Sequence, residues 1–138
     1  MSQSMVATVQ DSTWEQGAGS AQSFELRLAE TGKQVLVRVD GPLDVEHSPE
    51  FLRKLQPLCG SARRVVADLR RADYIDSAGV RALLKLQGQL RPNQGELVLV
   101  VDPGSRAMRT LKLLRLDNQF RMFDRASDAW SGSPPPIA

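Results

Sequence analysis

The residues best suited to chemistry lie in one stretch, Tyr74-Ile75-Asp76-Ser77-Ala78-Gly79. The Asp-Ser pair stands where a loop runs into a helix. Beyond it Val80, Leu83, Leu84 and Leu90 recur at helical spacing, which predicts one buried stripe. Ser77 is predicted to cap this helix, its hydroxyl accepting from a free amide one turn in. Unpaired amides and the helix dipole favour negative charge at such a terminus. A serine in that position is suited to carrying a phosphate.

Other chemistries find weaker support. A serine hydrolase would need Ser77, His47 and an aspartate together, and there is no Gly-x-Ser-x-Gly elbow. Gly17-Ala18-Gly19-Ser20 has no preceding strand and no phosphate-loop lysine. His47 and Cys59 are each the sole residue of their type, so a structural zinc site would have to borrow carboxylates and a disulfide within the chain is impossible. Cys59 reads as a small buried hydrophobe. Arg106, Arg109, Lys112 and Arg115 are three apart and drift around a helix; without aromatic platforms they read as a solvated face rather than a nucleic-acid stripe. No catalytic residue, metal or cofactor is expected.

The elements that must position Ser77 follow from periodicity. Phe24, Leu26 and Leu28 alternate with polar residues as in a half-buried strand. The turn Thr31-Gly32-Lys33 leads to a hairpin partner over residues 35–39. Ser48-Pro49-Glu50 starts a helix with Phe51, Leu52, Leu55 and Leu58 on its apolar face, and Pro57 ends or kinks it near Gln56. Residues 64–69 and 96–101 are near-continuous apolar runs, as in strands of a parallel sheet. Pro92 to Gly95 ends the Ser77 helix. A third helix follows Ser105 with Met108, Leu111 and Leu114 inward; a short strand ends at Phe123, and a final helical turn follows over residues 124–130. Right-handed crossovers stepping one way put all the helices on one face. The loops after parallel strands then share a rim, which brings Asp44, Asp76 and Ser77 together. Asp76 either holds its loop or helps bind the magnesium of an incoming nucleotide. Small Ala78 and Gly79 allow close approach, and Arg81, Lys85 and Gln89 occupy the exposed side. Arg81, four positions on, can pair with a phosphate on Ser77.

The Asp76-Ser77-Ala78-Gly79-Val80 string and its Leu-rich helix resemble the signature of the STAS family, the anti-sigma factor antagonists of bacteria. Val39-Asp40-Gly41-Pro42-Leu43-Asp44 resembles that family's Gly-x-Leu-Asp turn, and the stretch from Leu113 to Phe120 its late Leu-rich helix end. Ala78 and Arg81 depart from the family's usual hydroxyl and small residues. The resemblance implies an α/β fold with a mixed, mainly parallel sheet and helices on one face. It implies a non-enzymatic switch: Ser77 as phosphoacceptor, with Asp44, Asp76, Ser77, Ala78, Gly79, Arg81 and Lys85 at the partner interface. The partners implied are an anti-sigma factor that is itself a serine kinase, with ATP and magnesium held on the kinase, and a PP2C-type phosphatase for reset. The alternative is an accessory subunit of a lipid-transporting ABC system, docking on the ATPase as a structural contact.

The remaining features bound this reading. The 138 residues fit one domain. Residues 22–130 are expected to fold, residues 1–21 to form a flexible tail carrying Trp14, and residues 131–138 to be disordered. No apolar run approaches a membrane span and no signal pattern opens the chain, so a cytoplasmic location is expected, without membrane or direct nucleic-acid contact. The net charge of +2 hides an asymmetry: residues 63–125 hold 13 basic against 7 acidic residues, which suits an acidic partner.

Overall fold

The computed structural model describes residues 4–10, by their backbone, and residues 23–137. Six strands lie in chain order across one sheet: β1 (Ser4–Gln10), β2 (Glu25–Thr31), β3 (Gln34–Asp40), β4 (Arg64–Asp68), β5 (Glu96–Val100) and β6 (Arg121–Phe123). The pairs β1–β2 and β2–β3 are antiparallel; β3–β4, β4–β5 and β5–β6 are parallel. Helices α1 (Ser48–Leu55), α2 (Ser77–Leu90) and α3 (Arg106–Leu113) form the three crossovers. Each crossover steps the same way along the sheet, so right-handedness stacks all three on one face.

Strand alternation divides the core between the two faces. Val35, Val37, Val65, Ala67, Leu97 and Leu99 pack in one cluster with Phe51, Leu55, Leu83 and Leu111 of the helices. Leu36, Val66, Val98 and Val100 point the other way. That second face is closed by the four-residue helix α4 (Ala126–Ala129), Trp130 and Ile137, so not every helix lies on one side. The central strands are apolar on both faces and need this cover.

The same need holds the chain after Trp130. Expected to be disordered from residue 131, it is instead fixed on the sheet. Gln34 and Ser131 exchange two 3.0 Å hydrogen bonds, and Arg38 Nη1 donates to the Ile137 carbonyl at 2.9 Å. At the other end, residues 4–10, expected within a flexible tail, form β1 and pair with β2 from Ser4↔Thr31 to Gln10↔Glu25. This pairing satisfies the backbone groups that β2 would otherwise present as a bare edge. Trp14 lies outside the described residues.

Local expectations mostly meet their elements. The first helix ends at Leu55, and Gln56–Leu58 tightens into a 3-10 turn containing Pro57. Cys59 is buried, and burial raises its thiol pKa. One inward assignment fails: Leu114 falls beyond the end of α3 and is 45% exposed. Val80, Leu83 and Leu90 of the predicted α2 stripe are buried together with Leu86, and Leu84 packs against the same core at its edge, half-buried.

Candidate functional site at the start of helix α2

Two loops meet at the C-terminal edge of the parallel strands. The loop after β3 carries Asp44 and the loop after β4 carries Asp76 and Ser77. They are laced by Gly41 N to Arg71 O (3.2 Å), Asp73 N to Gly41 O (3.2 Å), Leu43 N to Tyr74 O (3.0 Å) and Asp76 N to Leu43 O (3.4 Å). A parallel bridge pairs Leu43 with Ile75. In effect β3 and β4 resume their pairing past the strand ends.

Asp76, not Ser77, is the N-cap of α2. Its backbone is extended and its Oδ1 accepts from Gly79 N at 2.9 Å. Aspartate is as good a cap as serine, and this one also ties the loops together, because Oδ2 accepts from Val45 N at 3.1 Å. Ser77 is thereby displaced into the first helical position. It is exposed, and its hydroxyl makes no hydrogen bond to any described residue. Arg81 and Lys85 follow at four-residue steps, both exposed, and neither forms an ion pair with a described residue. Val45, beside the cap, is 71% exposed.

Asp44 sits beneath this surface, 8% exposed. Its Oδ1 accepts from Glu46 N (3.1 Å) and His47 N (3.0 Å) and lies 2.8 Å from His47 Nδ1; its Oδ2 accepts from Tyr74 Oη at 3.1 Å. The Asp44 carbonyl accepts from Ser48 Oγ at 2.5 Å. Both carboxylates are thus spent on holding the two loops. Burial, then the bond to Asp44, push the Tyr74 phenol above its ordinary pKa, while Arg106 pulls the other way. The Arg106 guanidinium lies 5.2 Å from the centre of the Tyr74 ring.

The predicted site residues therefore fall into two layers. Ser77, Arg81 and Lys85 form the exposed row; Ala78 and Asp76 are half-buried; Asp44 and Gly79 are buried. Gly79 is small because this chain's own loop approaches it: a Cβ there would lie 2.1 Å from the Leu43 carbonyl oxygen. His47 is 4% exposed, bound to Asp44 and stacked on Phe24 with ring centres 4.4 Å apart. It serves the loop rather than Ser77, and no Ser-His-Asp arrangement is assembled. Asp44, Glu46 and His47 each place a possible ligand atom within 4.8 Å of the others, but the Asp44 oxygens are already taken. Helix α1 does start at Ser48; its N-cap is His47, without a side-chain cap bond, and Ser48 reaches back to Asp44.

Sequence reasoning assigns no role to Tyr74 or Val45. Tyr74 is two residues before Asp76, a same-side spacing in an extended segment that is legible in hindsight. The Arg106 contact depends on packing between distant segments and leaves no such trace.

Comparison with known proteins agrees with this architecture. A stretch of 37 residues, 27% of this chain, is 65% identical to the Bordetella bronchiseptica protein named "Putative anti-sigma factor antagonist BtrV". That stretch spans only 32% of BtrV. The unphosphorylated anti-sigma factor antagonist SpoIIAA superposes with a TM-score of 0.65 at 20% identity, over 77% of this chain and 91% of its own. The phosphorylated form from Bacillus gives 0.59 at 20% identity, over 77% and 95%. An anti-sigma factor antagonist from Mycobacterium paratuberculosis gives 0.63 at 20% identity, over 91% of each chain. At that identity these likenesses show the fold. The model of the STAS domain matches residues 25–129, about three quarters of the sequence, and the chain belongs to that family.

Proposed function

We propose that this protein is an anti-sigma factor antagonist controlled by phosphorylation of Ser77. The observation that carries the reading is the exposed Ser77 hydroxyl, without a hydrogen bond to any described residue, at the first position of a 14-residue helix, with Asp76 capping the helix in its place. In the unphosphorylated state the row Ser77, Arg81, Lys85 with Val45 and Ala78 binds an anti-sigma factor and so releases a sigma factor. Asp44, Asp76 and Gly79 shape that surface from beneath. The anti-sigma factor is a serine kinase: it transfers the γ-phosphoryl group of its ATP to Ser77 Oγ, ADP leaves, and the hydroxyl proton passes to a base on the kinase. A PP2C-type phosphatase resets the switch. The chain itself acts by binding, in the cytoplasm; among the described residues no helix is long and apolar enough to cross a membrane.

Phosphorylation adds about −1.5 to −2 charges. The α2 terminus tolerates that charge within the domain, with Arg81 one turn along to offset it. In a protein interface without a matching arginine, burying it costs several kcal/mol, and each ~1.4 kcal/mol is tenfold in affinity. Titration calorimetry against the kinase-type anti-sigma factor of the same cells tests this. Ser77→Ala binds and accepts no phosphate; Ser77→Asp keeps its melting temperature and loses at least tenfold in affinity. If the phosphorylated protein and Ser77→Asp both bind as tightly as the unmodified protein, the switch is refuted and the ABC-subunit role takes its place.

A further inference from the structure

Helix α3 is the last of the three crossover helices, and after β6 the chain passes to the other face of the sheet as α4. The row of helices therefore ends at α3. A groove of 360 Å³ runs along this helix, lined by the preceding turn from Pro103 to Ser105 and by Met108, Arg109, Lys112 and Leu113. Every lining residue belongs to α3 or to that turn, so no other element borders the groove. The helical members stand three and four residues apart, which stacks them in one stripe.

The stripe is apolar with a basic margin. Met108 is buried, while Leu113 is 76% exposed, the highest value among the described large hydrophobics. A lone exposed leucine is ordinary, but this one borders a concavity that also holds Met108 and Pro103. Arg109 and Lys112 are exposed, and neither side chain forms a hydrogen bond or ion pair with a described residue. Arg106, by contrast, lies over the Tyr74 ring and does not line the groove.

Two uncommitted cations beside an exposed leucine match a surface that sets carboxylates beside an apolar side chain. A second copy of α3 placed here by two-fold symmetry would oppose like charges. Nucleic acid would find no aromatic platform in the lining and would leave Leu113 unused. The stripe from Ser105 to Leu113 is about 12 Å long, about two helical turns. A helix laid along it would extend the row by ridges packing into grooves.

We propose that this groove docks an acidic amphipathic helix of a partner protein. An apolar side chain of that helix sits between Met108 and Leu113, and its carboxylates face Arg109 and Lys112. The groove shares no residue with the Ser77 row, so docking here is independent of the phosphorylation switch.

The test is a nitrogen-15 NMR titration of the full chain at physiological ionic strength. The probe is a short peptide held helical by a side-chain staple, with Leu along one face, Glu beside it and Ala elsewhere. One control carries Lys in place of Glu; another has the same composition in shuffled order. The acidic helix should give saturating shifts at the amides of Ser105, Arg109, Lys112 and Leu113, and the basic one none. Leu113→Ser should weaken binding by about tenfold or more with unchanged melting. Joint Arg109→Glu and Lys112→Glu substitution should reject the acidic helix and accept the basic one. No saturable shift, shifts given equally by the shuffled peptide, or binding that Leu113→Ser leaves unchanged would overturn the proposal. So would shifts at these amides without the peptide, whether on adding phosphatidylglycerol vesicles, which would assign the stripe to a membrane surface, or on concentrating the protein alone, which would assign it to a second copy.

Discussion

The carbonyl oxygen of Leu43 fills the space that a side chain on Gly79 would need, 2.1 Å from where its Cβ would stand. Ile75 Cγ2 crowds the same point at 2.8 Å. Helix α2 is thereby seated directly on the loop that carries Asp44. In an open helix Gly→Ala would stabilise by about 0.8–1 kcal/mol. Here overpacking, typically about 1–3 kcal/mol, works against that gain because the clash is with backbone. Gly79→Ala should lower stability by about 1–2 kcal/mol in urea denaturation; an unchanged or higher midpoint would show that the loop gives way freely.

Asp76 joins the same two parts through its side chain. Asp76→Ala removes the cap of α2, a loss of about 0.5–2 kcal/mol, and leaves Val45 N without its acceptor. Amide hydrogen exchange should accelerate at Val45 and Gly79 together. Faster exchange at Gly79 alone would mean that the bond between the loops carries no weight.

Tyr74 gives the site a pH dependence on the alkaline side. Its folded pKa lies above the ordinary 10.0. A raised pKa contributes stability that is fully present below the unfolded value and is lost as pH rises through the folded value. Cys59, raised from 9.0 by burial, acts with the same sign. Tyr74→Phe should cost about 1 kcal/mol at neutral pH through the lost bond to Asp44, and flatten the fall in melting temperature between about pH 9 and 11 without abolishing it. Parallel melting curves for the two proteins across that range would contradict the assignment.

The packing of α2 separates two neighbouring leucines. Leu83 is fully buried and Leu84 only half-buried. Leu83→Ala should cost about 2–5 kcal/mol and Leu84→Ala less than about 2. Equal losses in chemical denaturation would place the helix at a different rotation on the sheet.

Much of this was legible from local pattern. The apolar runs at 64–69 and 96–101 became central strands because a strand buried on both faces must read as continuous hydrophobics. The Asp76-Ser77 pair marked the helix start because capping chemistry is local. Which of the two caps was not legible: both are good caps, and Val45 N, contributed by another loop, favours the carboxylate. The ends of the chain mislead for a related reason. Residues 131–137 are rich in Ser and Pro and look like a tail, yet the second face of the sheet, with Leu36, Val66 and Val98, gives Trp130 and Ile137 somewhere to bury. Leu114 fits the helical period but follows the last turn of α3, where the period ceases to apply. Asp44 and Ser77 were brought to one rim by topology alone; the hydrogen bonds that make Asp44 a support rather than a contact required three dimensions.

The strand order has a kinetic consequence. Every strand pairs with its immediate predecessor, so the sheet can lengthen from the β2–β3 hairpin one crossover at a time. No strand has to be inserted between two already paired, and none waits for a distant segment before it finds its neighbour. The closures are long, but each is one helix long, which keeps the entropic cost of successive steps alike. A chain emerging from its N-terminus meets each pairing edge in the order in which it is made, and the cover of the second face, α4 to Ile137, arrives last.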